Sequence, residues 1–104
     1  MSFPFEITPA AEKDLADIFT YTENRWGYKQ AHRYASLLQQ CFYDIAANLA
    51  VSRVYNRKLP NIRMCRCERH RVFFVRPQPS EKAIIIAILH ERMNFMSHLQ
   101  KRIS

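Results

Sequence analysis

The chain has 104 residues, a formal net charge of +7, and 48% hydrophobic against 24% charged side chains. That length sets one domain over residues 1–104, able to bury roughly 65% of its unfolded surface without a disulfide or metal staple, and the balance excludes disorder. A single glycine excludes a glycine-rich phosphate cradle, and the longest apolar run, seven residues from Ala83 to Leu89, is far short of the about 20 that span a membrane. The opening Met-Ser-Phe-Pro-Phe-Glu has neither a basic stretch nor a long apolar one, so no secretory signal is expected.

In chain order, Phe3, Phe5 and Ile7 alternate as on one face of a strand, and Pro4 places that strand near a sheet edge or starts its pairing after residue 4. Thr8-Pro9 reads as an N-cap followed by proline at the first helical position. Ala11, Leu15, Ile18, Phe19 and Thr22 then follow at helical spacing, predicting a first helix from Pro9 to about Asn24. Gly27 suits a helix end, and Trp26 beside it is expected to pack the turn. Ala31, Tyr34, Leu38, Cys41, Phe42, Ile45 and Leu49 form a second stripe at spacings of three and four, so the two helices read as an antiparallel hairpin.

Residues 50–61 show no clear period and read as a basic connection ending in a Pro60-Asn61 turn. Strands are predicted over Ile62–Cys67 and Arg69–Arg76 with a tight turn near Glu68, then a Pro77–Ser80 loop. The β-branched run Ala83–Leu89 is the pattern of a strand buried on both faces, hence central. A last helix is predicted from Glu91 to Arg102, packed back through Met93, Met96 and Leu99. The expected fold is α+β: an N-terminal strand, a helical hairpin, a three-stranded antiparallel meander covered on one face by that hairpin, and a short C-terminal helix.

Charge divides the chain. Residues 1–52 carry four basic and six acidic side chains, residues 53–104 twelve and three. Seven basic residues (Arg53, Arg57, Lys58, Arg63, Arg66, Arg69, Arg71) crowd one stretch against Glu68 alone, which points to an anionic partner. Cys41, Cys65 and Cys67 include no C-x-x-C pair and read as reduced thiols used as small apolar residues; no metal site is expected, although His70 lies near two of them.

Thr8-Pro-Ala-Ala-x-x-Asp-Leu15, Ile18-x-x-Tyr21, Trp26-Gly27-x-x-Gln30-Ala31 and Tyr34 resemble the ParE-type toxins of the RelE/ParE superfamily. So do Ile62-Arg63, Arg69-His70-Arg71-Val72-Phe73-Phe74 and Leu89-His90-Glu91-Arg92-Met93 followed by His98-Leu99. The resemblance runs from about Ile7 to Leu99. Two glycines usual in the family are replaced here by Asn61 and Glu68, so the second hairpin is expected to be less tight. The resemblance implies a cytoplasmic bacterial toxin of a two-gene module. Its partner would be a ParD-like antitoxin whose disordered C-terminal tail folds onto the toxin in a hetero-oligomer. Its target would be DNA gyrase, poisoned without catalysis or cofactor.

On that reading Arg63, Arg69, Arg71, His90 and Arg92 are the target-binding candidates, and Leu15, Ile18, Phe19 and Tyr21 on the first helix are the antitoxin-binding ones. Arg63 either faces the target or pairs with Glu91. The alternative is a ribosome-dependent mRNA endoribonuclease of the RelE type, for which His70, His90 and Glu91 would move protons and Arg63 would hold phosphate. A third reading is a degenerate, non-toxic member that only binds antitoxin. No tyrosine follows Tyr55, so the terminal tyrosine of the ribonuclease branch is missing.

Overall fold

The chain runs β1 (Phe5–Ile7), α1 (Pro9–Trp26), α2 (Tyr28–Ala46), β2 (Ser52–Asn56), β3 (Leu59–Cys67), β4 (His70–Val75), β5 (Ala83–His90) and α3 (Phe95–Ile103) in a computed structural model, which describes residues 3–78 and 81–103. The strands form one sheet in the order β1-β5-β4-β3-β2, with β1 parallel to β5 and every other pair antiparallel. The α+β class is as expected, with one strand more than the meander foresaw.

Local chemistry sets the elements. Thr8 caps α1, its Oγ1 accepting from the Ala11 N–H at 3.2 Å with Pro9 in the first turn. The expected stop at Asn24 is overrun by two residues, because the chain does not leave helical geometry until Gly27. Gly27 alone links the helices: its N–H bonds the Glu23 carbonyl, and its carbonyl accepts from Ala31. At φ 93 it needs glycine for conformation, since a Cβ there would meet nothing within 4 Å. A one-residue link offers no turn to cover, so Trp26 does not pack the turn; it is 66% exposed, with the Arg25 guanidinium 5.6 Å above its ring. α2 ends in a Schellman-type reversal in which Asn48 takes φ 60 and the Leu49 N–H reaches back to the Asp44 carbonyl. Leu49 therefore leaves the helical stripe and is exposed.

Residues expected to form an irregular connection contain β2, an edge strand whose half-exposed residues give no alternation to read. The turn falls at Arg57-Lys58, where the Asn56 side chain accepts from the Lys58 N–H. Pro60 and Asn61 lie inside β3; Pro60 is tolerated there because β4 pairs with β3 only from Arg63 onward. Asn61 is not in a left-handed conformation, whereas Glu68 is, at φ 53. The β3–β4 hairpin keeps a tight two-residue turn, with Cys67 opposite His70, rather than loosening. The Pro77–Ser80 loop lies in part outside the described residues. β5 is buried on both faces as expected and carries a bulge at Ile86, between the Phe74–Ile85 and Phe73–Ala87 pairs. α3 starts at Phe95 instead of Glu91, because Asn94 caps it through Oδ1 to the Ser97 N–H.

Two cores result, one on each face of the sheet. The helical hairpin packs Ala11, Leu38, Phe42 and Ile45 onto Cys65, Cys67, Val72, Phe74, Ile85 and Ile88. α3 packs Leu99, with Phe95, onto Ile62, Met64, Phe73, Ile86 and Leu89 on the opposite face. Met93 lies in the turn before α3 and is partly exposed, so Leu99 and Phe95 anchor that helix. Cys65 and Cys67 serve as small core residues, and Cys41 packs at the core's rim.

Candidate target-binding surface

β3, β4 and β5 bring three residues of the basic half into one row: Cys67 opposite His70, and His70 opposite His90. The hairpin turn is fastened from two sides. The Glu91 N–H donates to the Arg69 carbonyl at 2.9 Å, and the Arg69 N–H donates to the Tyr34 hydroxyl at 3.2 Å. These bonds offset the left-handed Glu68, a conformation that costs a side-chain-bearing residue about 1 kcal/mol.

Tyr34 in turn contacts His70 Nδ1 at 2.7 Å. Burial pushes the Tyr34 hydroxyl up, so it is a neutral phenol. Burial first, and neighbouring His90 next, push His70 down to about 4. His70 is therefore a neutral imidazole at physiological pH. Its Nδ1 and the Tyr34 hydroxyl share one hydrogen bond. The His70 and His90 rings meet edge-on at 5.2 Å. His90 Nδ1 accepts from the Arg92 N–H at 3.2 Å, holding the turn after β5 in place.

Around this scaffold lies an open depression lined by Arg66, Glu68, Arg69 and Glu91. Arg71 stands beside Arg66 across the β3–β4 pair, on the α3 face, with a 3.3 Å contact to the His70 carbonyl. Arg92 follows β5 at the same end. Thus Arg69, Arg71, His90 and Arg92, four of the five sequence-predicted target contacts, meet at one end of the sheet. Arg63 does not join them. It sits four residues back along β3, about 13 Å at strand rise, with Nε on Ser52 Oγ at 3.0 Å and Nη2 on the Ser52 carbonyl at 2.9 Å. The pairing of Arg63 with Glu91 does not occur.

The set His70, His90, Glu91 and Arg63 is split by the position of Arg63, and His70 is neutral with Nδ1 committed to Tyr34. Exposed arginines offer several charge-assisted donors to an anionic surface. Among the described residues no cluster of three or more His, Cys, Asp or Glu could hold a metal ion.

On the first helix, Leu15 and Ile18 pack against the main core, and Phe19 is half-buried, edge-on to Tyr28 at 6.0 Å. Tyr21 is exposed, together with Trp26 and Tyr28 near the hairpin link. The sequence pattern sets Trp26 in the turn and gives Tyr28 no role; the one-residue link leaves both at the surface.

Two further arginines are structural. Short β1 leaves the far part of the β5 edge uncovered, and Asp14 of α1 with Arg102 of α3 closes it. Asp14 Oδ2 accepts from the Ile88 N–H at 2.9 Å, Arg102 Nη1 donates to the Ile86 carbonyl at 2.8 Å, and the two side chains pair through both carboxylate oxygens at 2.8 Å. The hydrogen bond to Asp14 raises the Arg102 pKa. At the opposite end, Arg76 donates to the Ile45 carbonyl at 3.0 Å, in the last turn of α2, and to the Glu81 carbonyl at 2.9 Å. No sequence pattern announces either arrangement, since the partners are remote in the chain.

The family described as ParE toxin of type II toxin-antitoxin system, parDE, matches residues 5–95. Toxin ParE of Escherichia coli is 40% identical over 97 residues, covering 93% of each chain. Toxin ParE1 of Caulobacter vibrioides is 34% identical over 96 residues, covering 92% of this chain and 97% of its own. A chain from the chromosomal ParDE TA system from P. aeruginosa superposes with a TM-score of 0.69 at 18% identity, covering 86% of this chain and 98% of its own, a likeness of fold.

Proposed function

This chain belongs to the ParE toxin family of type II toxin–antitoxin systems, and from that premise we propose that it poisons DNA gyrase by binding, with no catalysis of its own. An antitoxin partner comes with the family. A ParD-like antitoxin whose disordered tail folds over the first helix, with Phe19 and Tyr21 as contacts, fits the aromatic surface left outside the core. Leu15 and Ile18 would support that face from beneath. The reading places toxin and target in the bacterial cytoplasm.

The observation that carries the gyrase reading is the assembly of Arg66, Arg69, Arg71 and Arg92 at one end of the sheet, around histidines engaged in the scaffold. Such an end binds an anionic surface, here the cleaved-DNA complex of gyrase, and holds it without proton transfer. Arg63 would act through the fold, by holding β2, and not by touching the target.

The test is toxin freed of antitoxin, added to gyrase with supercoiled plasmid and ATP. Linear, protein-linked DNA should accumulate, and Arg69→Glu/Arg92→Glu should abolish it. Folded toxin that leaves gyrase unaffected but cleaves message on ribosomes would overturn the proposal in favour of the ribonuclease. Folded toxin that does neither and fails to arrest growth would mark a degenerate member.

A further inference from the structure

The binding surface leaves the three cysteines unused, yet their placement is not equivalent. All three lie on the helical-hairpin side of the sheet, Cys41 on α2 and Cys65 and Cys67 at alternate positions of β3. Cys67 Sγ is 3.6 Å from the Leu37 carbonyl, one turn before Cys41 on α2. The end of β3 thus sits against the turn of α2 that carries Cys41, and Cys41 packs against the same core cluster as Cys67. Cys65 points elsewhere, toward the Arg66 carbonyl at 3.7 Å. Cys41 is partly exposed, so the pair opens to small solutes from the α2 side, while Cys67 is buried behind it.

We propose that Cys41 and Cys67 are a disulfide-forming pair, closed by a hydroperoxide, which ties α2 to the β3–β4 turn. The neighbouring Cys41 thiol pulls the Cys67 thiol down and is itself raised, so Cys67 ionises first. Burial pushes Cys65 up and leaves it inert. The Cys67 thiolate attacks a peroxide oxygen; the O–O bond breaks, and water or an alcohol leaves with one proton. The resulting sulfenic acid is attacked by the Cys41 sulfur, the S–O bond breaks, and hydroxide takes the Cys41 proton and leaves as water. The two thiols lose two electrons and the peroxide gains them. Cys67 immediately precedes the Glu68-Arg69 turn and lies opposite His70, so the bond would lock the arginine-bearing turn onto α2. Disulfide closure does not depend on what the toxin acts on.

The test treats purified full-length toxin with hydrogen peroxide under native conditions, alkylates it in denaturant, and maps peptides by mass. The expected product is a monomer short of two hydrogens, with a Cys41–Cys67 cross-link, Cys65 alone alkylated, and full reversal by dithiothreitol. Cys65→Ser should give the same cross-link. Cys41→Ser should give none and leave a dimedone-reactive Cys67. Three alkylatable thiols after treatment, a cross-link through Cys65, or sulfinic acid at Cys67 of the wild-type chain would each overturn the proposal. The wild-type and Cys65→Ser measurements stand even if Cys41→Ser does not fold.

Discussion

The arginines around the sheet share one chemistry and do opposite work. Arg63, Arg76 and Arg102 are half-buried and spend their guanidiniums on backbone carbonyls, a serine and Asp14. Arg66, Arg69 and Arg92 are exposed around a turn that other groups hold for them, chiefly Tyr34 and the Glu91 N–H. The difference teaches that a basic stretch is not itself a binding surface. An arginine whose donors already satisfy the chain's own carbonyls has a smaller share left for a partner, and its removal is felt first in stability.

The sharpest break of that contrast is Arg102→Ala. It leaves Asp14 largely buried beside a strand edge that has lost its cap, and it should cost about 3 kcal/mol in urea unfolding. Arg76→Ala leaves the Ile45 carbonyl at the end of α2 with a backbone donor, the Asn48 N–H, and loses the bond to Glu81, and should cost about 1.5 kcal/mol by the same measurement. Arg63→Ala, which loses both bonds to Ser52, should cost about 1 kcal/mol and reduce toxicity only as far as it unfolds the protein. In the exposed set, Arg69→Glu/Arg92→Glu should shift stability by only about 0.5 kcal/mol per site while abolishing gyrase inhibition. Antitoxin affinity, read by titration calorimetry, should stay close to wild type. A double variant that unfolds as readily as Arg102→Ala would erase the distinction between the two sets.

The scaffold beneath the exposed set has its own signature in pH. The folded state holds His70 at about 4 against an ordinary value of 6.5, so between those values the unfolded chain binds more protons. Stability contributed by neutral His70 is fully present above pH 6.5, declines as pH falls toward 4, and is gone below it. The melting temperature of the wild-type chain should therefore fall across that window more steeply than that of His70→Gln. Equal slopes would remove His70 from the support of the turn.

Period and punctuation carried much of the fold. Thr8-Pro9 and Gly27 mark helix boundaries by capping and backbone chemistry, and the unbroken Ala83–Leu89 run marks the strand covered on both faces. β2 was illegible because an edge strand buries too little to impose alternation, and Pro60-Asn61 misled because proline is harmless where no neighbouring strand needs its N–H. At the site, the arginines, His70 and His90 were legible as types. That Arg63 belongs elsewhere was not, since its distance from the turn depends on strand register and its partner on a strand the pattern did not reveal.

What this sequence determined by itself was therefore local: the helical hairpin, the central strand, the asymmetry of charge and the motifs of the family. The tertiary structure alone decided which cations are spent and which are offered. It placed Asp14 against Arg102, Tyr34 against His70, and Cys67 against the turn of α2 that carries Cys41. Each pair joins elements distant in the chain, and such contacts follow from sheet order and helix packing, which no short-range periodicity encodes.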